Sequence, residues 1–239
     1  WSKQREILYS VGHNRRTAVP SGHAVGKTFT AAVAVLAFLL TNPWSKVITT
    51  APTWPQVSLQ LWTKINALVR RRLPGLAADP LQTHLRVEEE WFAVGLSPKH
   101  AVNFQGFHAP SVLIVLDEAP GVRREIYEGA ESLMSGGDAH MLLIGNPIEG
   151  SGFFHDACEG ASSVQWNVIP ISCYDSPNFT GEKDSVPEEV LRELVSEAWV
   201  DDMRQEWGED SPMFRAKVLG RFPDAGMNTV VPLSWYEAA

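Results

Sequence analysis

The stretch Ser21-Gly-His-Ala-Val-Gly-Lys-Thr28 decides how this chain is read. Ahead of it Thr17-Ala18-Val19 forms a short strand pattern stopped by Pro20, and behind it Thr28–Leu40 is apolar nearly all round. A glycine-bearing loop between a strand and a buried helix is an arrangement that binds phosphate. Its backbone N–H groups converge on the oxygens, and the helix N-terminus adds partial positive charge. In such a loop Lys27 reaches the β and γ phosphates, and the Thr28 hydroxyl ligates Mg²⁺. The pattern G-x-x-x-x-G-K-[ST] is met at Gly26, Lys27 and Thr28 but not at its first position, where Ser21 stands and Gly22 comes one place late. The phosphate bed is therefore expected over Ser21, Gly22, His23, Ala24, Val25, Gly26, Lys27 and Thr28.

Two further strand ends support this reading. Val112-Leu-Ile-Val-Leu-Asp117-Glu118 is an apolar run closed by two acids. Asp117 suits a metal held through water, and Glu118 suits the polarisation of a water that attacks the γ phosphate. Leu142-Leu-Ile-Gly145-Asn146-Pro147 is a second apolar run with a polar end. In a doubly wound sheet ligands lie beyond the carboxyl ends of the strands. Asn146 then falls near the γ phosphate beside Asp117 and Glu118, as a sensor of its presence. The plainer alternatives are two solvated acids after a buried strand, and an ordinary Asn-Pro turn.

The chain of 239 residues carries two cysteines, 20 Lys+Arg and 28 Asp+Glu, with 44% hydrophobic residues. Its longest apolar run, Ala31–Leu40, is half the length of a membrane span. Cys158 and Cys173 have no metal spacing, and two thiols in such a chain fit a reducing compartment, so a cytoplasmic protein is expected. The net charge of −8 is unevenly divided. Residues 1–75 hold ten bases and one acid, and the rest hold ten bases and 27 acids. The basic part can meet a polyanion despite an overall pI of 5.4, although a chance imbalance on a solvated surface reads the same way. The seven histidines are scattered, and the Gly-x-Ser-x-Gly elbow and the protein-kinase motifs are absent.

Short apolar runs alternate with amphipathic stretches, the sign of an α/β domain with a parallel sheet between helix layers. Lys46–Ala51, Val87–Leu96, Ala101–Phe104, Ser111–Leu116, Met141–Ile144 and Val164–Ile171 read as strands. A helix is expected from Trp54-Pro55, with Val57, Leu61, Ile65 and Leu68 buried, stopping at Pro74-Gly75 after Arg70, Arg71 and Arg72. Another is expected over Val122–Met134. From Ser176 the character changes, and residues 182–210 hold eleven acids and three bases. Ser185-Val-Pro-Glu188 reads as a capping box opening one helix that carries Val190, Leu191, Leu194, Val195 and Ala198, and Ser211-Pro212 opens a last helix ended by Gly220. The expected division is a core over 1–175, a helical lid over 176–222 and a connector over 223–239.

Taken together these segments resemble the ATPase domain of the large terminase subunit of tailed bacteriophages. The likeness runs through Gln4-Arg-Glu-Ile7, the Ser21–Thr28 loop, Thr50-Ala-Pro-Thr53, Phe104-Gln-Gly-Phe-His108, Leu116-Asp-Glu-Ala-Pro120, Ile144-Gly-Asn-Pro147 with Ser151-Gly-Phe-Phe154, Glu206–Pro212 and Val218–Pro223. It implies a three-layer P-loop NTPase of the type that sets a catalytic Glu beside the metal-binding Asp, with a small helical lid. It implies ATP hydrolysis with Mg²⁺ that drives double-stranded DNA into a procapsid. The partners it implies are a portal protein, a small terminase subunit and further copies of the chain in a ring, with the isolated domain either a monomer or self-associating. It implies no membrane, and action in the host cytoplasm and transiently at the portal vertex. Gln4 is implied to contact adenine, and the Gly145-Asn146-Pro147 segment to couple hydrolysis to movement. In the family a nuclease domain follows, and this chain stops where it would begin, so no DNA cutting is expected of it. Some members carry an arginine inside the phosphate loop, and here there is none. A transition-state arginine is then expected from a neighbouring subunit, with Arg70, Arg71 and Arg72 as candidates and Arg123 and Arg124 as alternatives. Another nucleic-acid motor, such as a helicase, and a nucleotide-dependent scaffold without turnover are the rival readings.

Overall fold

The computed structural model describes residues 1–73, 82–97, 104 and 106–223. The expected strand at 101–104, apart from Phe104, the stop at Pro74-Gly75 and nearly all of the 223–239 connector lie outside the described residues. The elements are α1 (Ser2–His13), β1 (Arg16–Pro20), α2 (Lys27–Thr41), β2 (Lys46–Thr50), α3 (Trp62–Arg72), β3 (His84–Glu88), β4 (Trp91–Gly95), β5 (Val112–Asp117), α4 (Arg124–Ser132), β6 (Ala139–Gly145), α5 (Phe153–Cys158), β7 (Asn167–Val168), α6 (Glu188–Leu191), α7 (Glu197–Trp207) and α8 (Pro212–Lys217).

Among the described residues the strands form one sheet in the order β3-β4-β2-β5-β6-β1-β7. All pairs are parallel except β3 with β4. Parallel strands covered on both faces need apolar side chains at every position. Alternate residues accordingly serve opposite layers. Val47, Leu113, Val115, Leu142 and Ile144 pack toward α1, α2 and α3. Ile48, Ile114, Leu116, Met141 and Leu143 pack toward α4 and α5. The all-round apolar character of α2 has the same cause, because Ala31, Val35, Phe38 and Leu39 are all buried.

Strand β6 lies between β1 and β5, and the register sets Pro20 level with Gly145 and Asp117 level with Ile144. Ser21 and Asn146 therefore emerge side by side on the carboxyl edge, with Asp117 two register positions before them. Two glycines let the loops beyond that edge nest. A Cβ on Gly145 would lie 2.4 Å from Pro120 Cδ, and one on Gly121 would lie 2.7 Å from Pro52 Cγ.

Four expectations are corrected. Val87–Leu96 is not one strand but the antiparallel hairpin of β3 and β4, because Glu89 and Glu90 form the turn between them. Lys46 Nζ donates to Glu90 at 2.7 Å. Val164–Ile171 shortens to β7, since Ser163–Gln165 is a 3₁₀ turn and Pro170 lacks an N–H; Ile169 N and Ile171 N still donate to Ala18 O and Pro20 O at 2.9 and 3.0 Å. The Ser185 capping box does not form. Val186 is extended, as the residue before a proline prefers, and α6 begins only after Pro187. The single helix expected there is two, because Val195 N donates to Ala24 O at 3.0 Å instead of continuing the helix. The Ser196 hydroxyl then accepts from Trp199 N and caps α7. The Ser211 cap of α8 forms as expected, accepting from Phe214 N at 3.1 Å, and Gly220 follows with φ +64.

The nested loops predict opposite outcomes for two Gly→Ala changes. Gly145→Ala forces Pro120 to move and should cost about 1–3 kcal/mol or more. Gly12, helical in α1 with nothing within 4 Å of its would-be Cβ, should become more stable by roughly 0.5–1 kcal/mol as Ala. Urea denaturation of both variants checks this.

Candidate functional site

A cavity of about 400 Å³ opens at the carboxyl edge of the sheet, lined by Gln4, His23–Phe29, Lys64, Glu118, Val190, Glu193 and Leu194. The loop that forms its floor is held from behind. Ser21 N donates to Gly145 O at 3.0 Å, Gly22 N to Ile171 O at 2.8 Å and His23 N to Lys217 O at 2.7 Å. Gly22 must be glycine, since its Cβ would lie 2.8 Å from Cys173 Sγ and 2.9 Å from Val218 O. The N–H groups of Gly22 and His23 are thus spent on the scaffold. Those of Ala24, Val25 and Gly26 donate to no carbonyl among the described residues. The first N–H groups of α2, at Lys27 and Thr28, have no partner within the helix. Left-handed φ values at Ala24 (+50) and Gly26 (+78) curl this segment. The phosphate bed anticipated over Ser21–Thr28 narrows to Ala24–Thr28 for the main chain. Gln4 Nε2 lies 2.6 Å from the position of a Gly26 Cβ, so the α1 glutamine touches the loop.

Lys27 is buried, and its ammonium donates to Gly22 O and Asn146 Oδ1, each at 3.2 Å. Asn146 Nδ2 donates to Ser21 O at 2.6 Å, which fixes the amide with its oxygen toward the lysine. Burial pushes the Lys27 pKa down, and Glu118 and Asp117 pull it back up. Asp117 is 1% exposed, and its pKa is pushed up to about 6 by burial and then by Glu118, against Lys27 and the Thr28 hydroxyl. Asp117 Oδ1 accepts from Glu118 N at 3.1 Å, while Oδ2 is buried with no partner among the described residues. A buried carboxylate oxygen without a partner, beside a threonine hydroxyl, suits a hydrated hard cation. Among the described residues no three His, Cys, Asp or Glu side chains are grouped to hold a metal. An Mg²⁺ ion here would rest on Thr28, Asp117 and ligand oxygens. Glu118 adopts φ +50, uncommon for a non-glycine residue, and lines the cavity.

Lys27, Thr28, Asp117, Glu118, Asn146 and Gln4 are therefore brought together. Arg70, Arg71 and Arg72 are not, being exposed at the far end of α3. Among the lining residues Lys64, Phe29, Val190, Glu193 and Leu194 escaped the sequence reading. Lys64 had left a signal, because it sits in the apolar stripe itself, three residues after Leu61 and four before Leu68. Val190 and Leu194 were read only as the apolar face of a helix.

No protein-family model matches the chain. It is 26% identical over 238 residues to the probable large terminase subunit of Enterobacteria phage P7, covering 92% of this chain and 45% of that protein. The ATPase domain of the Thermus phage P74-26 large terminase superposes with a TM-score of 0.65 at 18% identity, over 90% of this chain and 92% of that one. In sequence and in fold the chain resembles the ATPase domain of phage large terminases. The large terminase of the thermophilic bacteriophage D6E, solved with ADP, gives a TM-score of 0.67 at 12% identity over 93% of this chain and 53% of that one. The chain thus spans about half the length of these longer relatives. Its fold is that of these ATPase domains, a mostly parallel sheet flanked by helices. Among the described residues no helix is long and apolar enough to cross a membrane.

The raised pKa of Asp117 carries a stability cost with a definite sign. Between its unfolded value of 3.8 and about 6 the folded chain holds a proton that the unfolded chain has lost, so stability falls as pH rises through this window. Above it the whole penalty, about 3 kcal/mol, is present. Asp117→Asn should therefore stabilise the chain at pH 7, with the gain shrinking as pH falls from 6 to 4. Urea titrations of both proteins across this range test it.

Proposed function

We propose that this chain is an ATP-hydrolysing motor domain that drives double-stranded viral DNA into a procapsid. The observation that carries the reading is the placement of β6 between β1 and β5. It sets the Asn146 amide against the Lys27 ammonium and places Asp117 next to Glu118, at a cavity that Lys27 and Glu118 line. The sequence likeness to a large terminase, which extends over nearly the whole chain, supplies the packaging context.

In this reading the N–H groups of Ala24–Thr28 and the Lys27 ammonium bind the phosphates of ATP. Gln4, Phe29, Val190 and Leu194 enclose the base. Glu118 takes a proton from the attacking water. When bound, Mg²⁺ on Thr28 and Asp117 neutralises phosphate charge. Asn146 shares Lys27 with the incoming phosphate, so a change at the γ position reaches Gly145 and, through Pro120 and Pro52, the loops after β5 and β2. A portal protein, a small terminase subunit and a ring of identical chains are the proposed partners, in the host cytoplasm and at the portal vertex. A scaffold that binds ATP without turnover has no use for Glu118, and a helicase would separate DNA strands. Phosphate release measured with and without double-stranded DNA, beside a strand-separation assay, tests the reading. DNA-stimulated release without unwinding is expected, and unwinding or no release would overturn it.

Lys27 and Glu118 have separable roles. Lys27→Ala should abolish nucleotide binding, because it removes ground-state phosphate contact. Glu118→Gln should keep binding and lower turnover by roughly 10²-fold or more. Calorimetric binding of ADP beside phosphate release checks both.

Arg70, Arg71 and Arg72 lie six to eight residues beyond Lys64 on α3, about 9–12 Å further along the axis, and are proposed to serve a neighbouring subunit's nucleotide. Specific activity should then rise with protein concentration. Mixing Glu118→Gln with a variant of the responsible arginine should restore activity, since one class of mixed interface pairs an intact Glu with an intact Arg. Flat activity and inert alanine variants at all three positions would move the search to Arg123 and Arg124.

A further inference from the structure

We propose that Lys64 is the cation this cavity supplies in cis to the transferred phosphoryl group; the proposal rests on the nucleotide-hydrolysis reading of the site. The phosphate loop holds no arginine. Its histidine does not replace one. The His23 ring is held to a pKa of about 4 by burial, Lys27 and Lys217, so it is neutral at physiological pH. Among the described residues the cations lining the cavity are Lys27 and Lys64. Lys27 already spends two of its three N–H donors on Gly22 O and Asn146 Oδ1. Lys64 is half-buried and makes no hydrogen bond or ion pair with a described residue. Among the described residues nothing competes with a ligand oxygen for its head.

The backbone beneath that head is fixed. Leu61, Trp62 and Ile65 are fully buried, and Trp62 Nε1 donates to Thr49 Oγ1 at 2.9 Å. Immediately before α3, residues Gln56–Leu61 form a π-helical turn. Such a turn carries one extra residue and rotates all that follows by about 100° relative to an uninterrupted α-helix. Lys64, between the buried Trp62 and Ile65, lines the cavity. π-turns occur frequently at functional sites.

In the reaction, the water oxygen bonds to the γ phosphorus as the bond from phosphorus to the β–γ bridging oxygen breaks. The electron pair of that bond stays on ADP, and one water proton passes to the Glu118 carboxylate. Lys64 exchanges no proton. Its ammonium faces the oxygens of the phosphoryl group in transit, where an added positive charge lowers the barrier.

Such a cation favours the transition state over bound ADP. The test compares binding of ADP alone with binding of ADP plus aluminium fluoride, with Mg²⁺ present, by this chain and its Lys64→Met and Lys64→Arg variants. Both variants are checked for folding by thermal melting. Lys64→Met should weaken the aluminium fluoride complex by roughly 10²-fold and lower kcat similarly, with ADP affinity and KM within a few-fold. Lys64→Arg should recover most of the loss. An unchanged ratio of the two affinities would overturn the proposal, as would an equal loss of both, which would make Lys64 a ground-state anchor. If the unsubstituted chain binds no nucleotide at all, the nucleotide reading of the cavity falls, and this proposal with it.

Discussion

The Lys27 ammonium is buried, and a buried cation persists only where oxygens replace its water. Three elements supply them. The loop offers the Gly22 carbonyl, β6 offers Asn146, and β5 adds the charges of Asp117 and Glu118. None is adjacent to another in the chain. Each depends on β6 being inserted between β1 and β5 in a register that sets Pro20 against Gly145. A slip of one residue would turn Asn146 away from Lys27, because side chains alternate between faces along a strand. The sheet is thus the device that keeps one lysine charged out of water, and its continuous apolar strands are the condition for that device.

Two of the three left-handed non-glycine residues among the described residues, and one unpaired buried carboxylate oxygen, lie at this site. Ala24 and Glu118 hold left-handed backbone, and Asp117 Oδ2 has no partner among the described residues. Asp117 is kept where it costs stability. Residues held against their own preferences require an over-determined surround. Here it is provided by the carbonyls of Ile171 and Lys217 behind the loop and by the contacts of Pro120 with Gly145 and of Pro52 with Gly121. These contacts also join the loops after β2, β5 and β6. A displacement at Asn146 has a packed route outward.

The acidic segment is tied to the same loop. Val195 N donates to Ala24 O, and Asn178 Nδ2 donates to Leu191 O and Val195 O at 3.0 and 2.9 Å. The break between α6 and α7 is the consequence, and it places Val190 and Leu194 on the cavity wall. What reads in sequence as one charged helix with an apolar stripe is two helices whose stripe is divided between the core and the cavity.

The sequence by itself determined the fold class and named several of the residues that the structure brings together at the carboxyl edge. Four apolar strand runs, the Gly26-Lys27-Thr28 turn, the Asp117-Glu118 pair and Asn146 were all legible. Each is local, a short run whose period and terminal residue carry the meaning. The tertiary structure decided what depends on distant partners. It showed that the Gly22 and His23 N–H groups belong to the scaffold, because their acceptors lie some 150 residues or more away in Ile171 and Lys217. It broke the expected acidic helix before Val195, whose N–H serves Ala24 instead. It folded Val87–Leu96 into a hairpin, since Glu89 and Glu90 turn there while Lys46, from another strand, meets Glu90. It also set Lys64 on the cavity wall, which no local pattern records. Local pattern reports what a segment can become; only the competition among distant hydrogen-bond partners for the same N–H and C=O groups settles which of those forms it takes.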